Sequence, residues 1–467
     1  MARILFIQRT REDWLGPMYL SATLKEGGHR CDILVEPLER DGMVRRATEY
    51  RPDILAVSCL TTELHWAVRT AAEIRRATGA LVVFGGTHPT LAPESCIAAE
   101  PVDVVCRGEG EGPLLELANA LDGGGEIERI PNLWVKRGAE VVRNPLRPLV
   151  RDLDELPLPD RDLYEKYELF RHRGKKCLAL GRGCPFSCAH CHNSAKMTVF
   201  GGTGPYVRWR HEGRVLDEIE RLAARGNLKV LHFIDDSFGA RGSWLARLVE
   251  RMARMPLGDV ALQANMRADL VSEELADAFA TFGPSRLRLR IAVETGDEAY
   301  RTRILKKKLS DAELLTAAER LHRRGIGFVT YNMLGLPGER YEQALETLRF
   351  NLRLKPEMAL AFIFQPLPGT ELAELAVEKG FLDPRLLERI GTDEFPASFQ
   401  GESPLVQPEI RKVENLQRVF GFVVEHPALF PVAARMCRLE WLAPALRAFF
   451  RLHLRWILRR RRVRDEF

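Results

Sequence analysis

Residues 181–194 read GRGCPFSCAHCHNS, which puts Cys184, Cys188 and Cys191 within eight positions of one another. Structural zinc takes four ligands, usually from paired C-x2-C units, so His190 or His192 would have to complete the set. A [4Fe–4S] cluster held by three thiolates instead keeps one iron open. An open iron is what a cluster needs if a substrate or cosubstrate is to bind it, and that accounts for three cysteines rather than four. Cys177, seven residues upstream, lies in the apolar run KKCLAL (175–180) and reads as a strand residue.

Downstream of the cysteines, strand and helix patterns alternate. The strands are VLHFIDD (230–236), VALQANM (260–266), LRLRIAVETG (287–296), GFVTYNMLGLPGE (327–339) and LAFIFQPLPGT (360–370). With 175–180 these make six βα units, a partial TIM barrel, in which chemistry gathers at the C-terminal ends of the strands. Upstream, 2–8, 31–36, 53–60, 80–86 and 102–112 are apolar runs of the kind that fill a buried parallel sheet. Their alternation with helical segments predicts a doubly wound, Rossmann-like α/β domain, with ligands beyond the strands' carboxyl ends. No G-x-G-x-x-G follows the first strand, which argues against a nicotinamide site. The expected organisation is an N-terminal domain over 1–145, a linker over 146–174, a barrel over 175–375 and a helical region over 376–467.

The chain has 467 residues, 46% hydrophobic and 28% charged, with a net charge of +5. That balance does not announce a nucleic-acid partner. The N-terminus carries too short an apolar run for a secretory signal, and no run of about 18 apolar residues would span a membrane. Nine cysteines show no disulfide framework. A cytoplasmic location is therefore expected.

The segments GGTHPTLAPE (85–94) and CRGEGEG (106–112), at this distance before the three cysteines, resemble the cobalamin-binding domain of cobalamin-dependent radical SAM enzymes. C-x3-C-x2-C is the signature of the radical SAM superfamily, and ETG (294–296), GLPGE (335–339) and PLPGT (366–370) resemble later elements of its barrel. The resemblance covers about residues 1–375. It implies three cofactors: a [4Fe–4S] cluster on Cys184, Cys188 and Cys191, S-adenosylmethionine (SAM) on the open iron, and cobalamin in the N-terminal domain. Many cobalamin proteins ligate cobalt through Asp-x-His-x-x-Gly. Here Gly86 stands where the Asp would precede His88, and His29 and His65 also lack the pattern, so cobalamin is expected without a protein histidine on cobalt.

The loops that end the N-terminal strands supply the candidate cobalamin contacts Trp14, Gly16, Ser58, Thr61, Gly85, Gly86, Thr87, His88, Arg107, Gly108, Glu109 and Gly110. In the barrel, His190 takes the position where the family usually has an aromatic near adenine. Asp235 and Asp236 stand in for the family's acceptors of the SAM amine, with a helix N-cap as their alternative role. Asn265 and Arg267 end the third barrel strand; Arg267 suits a carboxylate or a pairing with Asp269. Glu294 suits the ribose hydroxyls. Tyr331 and Asn332, ending the fifth strand, are the candidates that face substrate or SAM.

By resemblance, the expected reaction is methylation of an unactivated carbon, using a 5′-deoxyadenosyl radical and a cobalamin-borne methyl group, with electrons from a low-potential flavodoxin or ferredoxin. Ring closure, ring rearrangement or carbon–carbon coupling with the same cofactors is the alternative. A non-catalytic cluster-bearing sensor is the reading from another class; it has no need of polar strand ends. In the tail, WLAPALRAFFRLHLRWILRRRR (441–462) reads either as a docked helix with a charged end or as an interfacial amphipathic helix. The second suggests peripheral membrane contact and a lipid-like substrate.

Overall fold

The computed structural model describes residues 1–388 and 401–460. Two parallel sheets organise it. The first has strands β1 (Arg3–Gln8), β2 (Arg30–Val35), β3 (Ile54–Ser58), β4 (Leu81–Gly85) and β5 (Val104–Cys106). Apart from the outer ends of β2 and β3 these strands are almost continuously buried, because helices cover both faces. An antiparallel hairpin, β6 (Leu133–Arg137) and β7 (Glu140–Arg143), extends the edge. It is absent from the apolar-run reading because β7 is mostly exposed and carries no buried side chain to mark it. The order β2-β1-β3-β4-β5-β6-β7 puts the switch point between β1 and β3, where a crevice opens above the strand ends.

The second sheet begins with β8 (Lys175–Leu178). A short antiparallel ribbon follows, β9 (Gly181–Arg182) with β10 (Arg208–Trp209). Next come β11 (Val230–Phe238), β12 (Ala261–Met266), β13 (Leu287–Glu294), β14 (Phe328–Leu334) and β15 (Met358–Ile363). Sheet neighbours run β15-β14-β13-β12-β11-β8, all parallel, an open six-stranded barrel. Strand alternation is visible in β14. Phe328, Thr330, Asn332 and Leu334 are buried against the outer helices, while Val329, Tyr331 and Met333 are half-buried toward the interior.

The segment between the sheets is packed rather than loose. Leu153, Leu163, Tyr164 and Phe170 are buried. Tyr164 donates to Gln8 Oε1 (2.6 Å), and Ser21 donates to Asp160 (2.6 Å). Arg161 bridges to Glu218 (2.8 Å) and to the Cys177 carbonyl (2.7 Å). These bonds bolt the end of β1 to the first barrel strand. After the barrel, helix Ile410–Glu425 covers β15, with Gln417 donating to the Ala361 carbonyl (3.0 Å). Helix Ala443–Arg460 packs on it through Leu446 and Phe449; residues 461 and 462 of the basic run lie outside the described residues.

Candidate active site

The cysteine loop leaves the ribbon at Gly183, whose φ is +86 and whose missing Cβ would sit 2.3 Å from the Tyr206 carbonyl, so only glycine fits. The Cys191 amide donates to the Cys188 carbonyl (3.0 Å), and the Ala189 amide to that of Leu305 (2.9 Å). The three thiols thus sit on one short loop between the ribbon and helix His192–Val199, a donor set that would fit a [4Fe–4S] cluster with one iron left open. Burial pushes the Cys191 thiol up to about 12 and raises Cys184 and Cys188 as well, so iron must displace protons to bind.

Around Cys188 the polar strand ends converge. The Arg267 guanidinium lies 3.8 Å over the Phe186 ring, with Nη1 3.8 Å from Cys188 Sγ. It is also held by Asp269 (2.9 Å) and by the Lys308 carbonyl (3.1 Å). Glu294 sits at a bulge between β13 and β14 with φ +70, a conformation a side chain adopts only when its surroundings impose it. What imposes it is Lys307, 3% exposed, whose Nζ donates to Glu294 (2.9 Å) and to the Ala292 carbonyl (2.6 Å). His190 Nε2 is 3.6 Å from the same carboxylate, and its Nδ1 is buried without a partner. Burial alone would raise Glu294. Lys307 and His190 outweigh it and hold the carboxyl well below the usual range. The orphaned imidazole nitrogen and the exposed Asn265 face the region where a polar cosubstrate would meet the thiols.

One sequence candidate, Asn332, is corrected here, and another, Asp235, is half committed to the backbone. Asp235 Oδ1 accepts the amides of Leu180 (2.8 Å) and Gly181 (2.9 Å), which ties the exit of β8 to β11. Burial pushes the carboxyl up to about 7 against those donors; Oδ1 is committed to the backbone, while Oδ2 is buried with no hydrogen-bond partner among the described residues. Neither Asp caps a helix: the nearest starts at Gly242 with Arg241 at its cap. Asn332 points outward, donating to the Leu360 carbonyl (3.1 Å) and accepting from Asn351 (2.7 Å) on helix Tyr341–Leu354. Neighbours on a strand face opposite ways, so Tyr331 and Asn332 cannot both enter the barrel. Tyr331 does, edge-on to Phe362 and 6.0 Å from the Arg290 guanidinium.

Asp235→Asn keeps an acceptor oxygen for both amides and is expected to leave folding and SAM binding near wild type. Asp235→Ala strands two amides at about 1–3 kcal/mol each. Denaturation midpoints and SAM titration of both variants check this; loss of SAM binding in a folded Asp235→Asn would instead make the carboxylate a cosubstrate ligand.

Between the two sheets lies a cavity of about 370 Å3. From the N-terminal side it is lined by Gly16, Ser58, Gly85, Gly86, Thr87, Gly108, Glu109 and Gly110, all sequence candidates, over an apolar bed that includes Leu15, Tyr19 and Val83. Gly86 (φ +96) packs so close to Ser58 and the Cys59 amide that a Cβ would meet them at 3.0 and 3.1 Å. The missing side chain lets the ends of β3 and β4 pack directly against each other at the cavity rim. The other four candidates lie outside the lining. Trp14 turns to Thr10 (2.9 Å), and Arg107 stacks over Trp134. Thr61 holds His88 Nδ1 (3.1 Å) while Ser95 holds Nε2 (3.0 Å), so both imidazole nitrogens are occupied inside the domain. His88 is therefore a structural residue rather than a cofactor contact, and burial lowers it to about 4.

The barrel side of the same cavity carries Arg182, Gly183, Lys196, Phe200, Tyr206, Arg208, Ile234 and Asp236. Of these the sequence pointed only to Asp236. Arg182 and Arg208 both clamp Glu109 (2.9 Å each), and Arg182 also pairs with Glu111. Lys196 falls one helical turn after the last cysteine and faces Asp236; that proximity was the available signal.

Residues 10–118 match the family model of the B12 binding domain, and residues 178–350 that of the radical SAM superfamily. The chain is 29% identical over 381 residues to an uncharacterized methyltransferase of Pyrococcus horikoshii, covering 79% of each. It is 24% identical over 456 residues to the anaerobic magnesium-protoporphyrin IX monomethyl ester cyclase of Rubrivivax gelatinosus, covering 93% of this chain and 78% of that one. Its fold is similar to the structure of the radical S-adenosylmethionine methyltransferase TsrM of Kitasatospora setae with cobalamin and [4Fe–4S] cluster bound. The TM-score is 0.68 at 20% identity, over 81% of this chain and 75% of that one.

Proposed function

We propose that this chain, a cobalamin-dependent radical SAM enzyme, methylates an unactivated carbon of a small-molecule substrate. The observation that carries the reading is the shared cavity: the glycine-lined strand ends of the first sheet and the residues flanking the three thiols face one another across it. When bound, the cluster with SAM supplies radical chemistry, and cobalamin a methyl carrier, neither of which a side chain provides.

The chain's own part is positioning and exclusion of water. Cys184, Cys188 and Cys191 would hold the cluster. We assign Glu294, His190, Asp236 and Asn265 to the cosubstrate; Arg267 would reach its carboxylate only by giving up Asp269, with which it pairs. Gly86 and Gly108, whose missing side chains would strike Ser58 and Phe200, keep the cavity rim closely packed. Phe200, Tyr206, Lys196 and Tyr331 are left to face the substrate. The clamp of Arg182 and Arg208 on Glu109 keeps the two halves in register. Ring closure is the second reading, favoured by the similarity to the cyclase. The location is taken as cytoplasmic, where a low-potential flavodoxin or ferredoxin would supply electrons; nucleic acid has no place in the mechanism.

The test is isotopic. Anaerobically reconstituted enzyme, with cobalamin and reductant, receives methyl-deuterated SAM and an extract of its host. Labelled product together with 5′-deoxyadenosine and S-adenosylhomocysteine is expected. Deoxyadenosine with no transferred label would discard methylation in favour of ring closure or coupling.

A further inference from the structure

The C-terminal helices present an exposed apolar surface among the described residues. Of the fifteen exposed large hydrophobic residues described, seven fall between 429 and 456: Leu429, Val432, Met436, Leu439, Trp441, Leu452 and Trp456. Trp441 is 74% exposed and Leu452 65%.

Their spacing is ordered. In the segment around helix Phe430–Met436, residues 430, 433 and 434 pack inward on helix Ile410–Glu425. Leu429, Val432, Met436 and Leu439 recur at helical intervals on the opposite side. In helix Ala443–Arg460, Leu446, Phe449 and His453 face inward, the last two against Phe422. Ala445, Ala448, Leu452 and Trp456 form an outward stripe that Trp441 prolongs, and Arg451 and Arg455 are exposed along its edge. Neither arginine has a carboxylate partner among the described residues. Between His426 and Arg460 the sequence has seven arginines and one acid, Glu440. Arg438 and Arg447 are already paired, with Glu342 and Glu402.

We infer that this face docks on an anionic lipid surface, its tryptophans and leucines entering the headgroup boundary and its arginines meeting lipid phosphates. Aromatic and aliphatic groups bordered by unpaired cations are what such a boundary takes. A second copy of the chain suits it less, since a two-fold contact would bring the arginine stripe against itself. Among the described residues no helix is long and apolar enough to cross a membrane, so the contact is peripheral. The face belongs to the helices that cover β15, at the open edge of the barrel.

The experiment is flotation of the full-length protein with vesicles of phosphatidylcholine alone or mixed with phosphatidylglycerol. The protein is expected to float with the mixed vesicles, weakly with the neutral ones, and to be released by salt. Arg451→Gln with Arg455→Gln is expected to weaken binding about 30-fold, from about fivefold for each charge near the surface. Trp441→Ala, Leu452→Ala and Trp456→Ala together are expected to abolish flotation. All these positions are exposed, and far-UV circular dichroism shows that the variants fold. No flotation with either vesicle, or binding indifferent to the arginines and to salt, would overturn the inference. So would a wild-type dimer in sedimentation that the Trp441/Leu452/Trp456 variant dissolves.

Discussion

Cys188→Ala abolishes SAM cleavage. The expected readout is no 5′-deoxyadenosine above the no-enzyme background, and an iron content of the reconstituted protein well below four per chain. Two thiolates remain, but a cubane anchored at only two of its irons is readily lost. Burial already resists ionisation of these thiols, so the free energy of forming three iron–sulfur bonds is what deprotonates them. The protein itself is expected to stay folded, because Cys188 is only partly buried and its loop is pinned by backbone bonds to Leu305. Cobalamin binding is expected to survive, since the first sheet forms its side of the cavity without the cysteines. Loss of cobalamin together with iron would mean the two sites assemble only together. Undiminished cleavage would remove the cluster from the mechanism.

Lys307→Met carries the largest expected stability change. The ammonium is buried and has two partners, the Glu294 carboxylate and the Ala292 carbonyl. Breaking such a pair from one side costs about 3–5 kcal/mol, against a total stability of about 5–15 kcal/mol. The pH dependence has a definite sign. In the wild type Glu294 is held below its ordinary range, so its contribution is fully present above the unfolded value of about 4.3 and is lost as pH falls below it. Without Lys307, desolvation favours the neutral carboxyl, and the variant is weakened most at neutral pH. The gap between wild type and Lys307→Met is therefore expected to narrow on acidification toward pH ~4. Adding Glu294→Gln should recover much of the loss, since no buried charge is then left unpaired. Denaturant unfolding of the four members of this cycle checks the set. A gap independent of pH would show that Lys307 acts by packing alone.

The cysteine motif needed nothing beyond its own spacing. Eight residues of chain place three thiols on one loop, and the surrounding glycines and turn bonds are local. The first sheet was legible because strands buried on both faces are nearly continuous apolar runs, and the barrel sheet because its strands alternate with helical segments, though β13 and β14 alternate in burial. The edge hairpin β6–β7 was not, because an exposed edge strand carries no such run.

The site beyond the cysteines divides along the same line. Sequence position placed Asp235, Asp236, Glu294, Arg267 and Tyr331 at strand ends; Glu294 and Arg267 are there, while β11 and β14 run on two or three residues past the Asp pair and Tyr331. Which side chain is free to meet a ligand depended on partners far away in the chain. Asp235 gives one oxygen to amides 54 and 55 residues upstream, and Asn332 is taken by Asn351. His88 is taken by Thr61 and Ser95. Conversely, Lys307, Arg182 and Arg208 carry no motif and matter only because folding sets them against Glu294 and Glu109. The sequence by itself determined the cluster, the order of the two domains and the strands that bear the polar residues, since each follows from local spacing or from periodic burial. Only the tertiary structure decided which of those residues face the cavity and which are spent on the fold, because hydrogen-bond partners and strand facing are settled by contacts that no local pattern records.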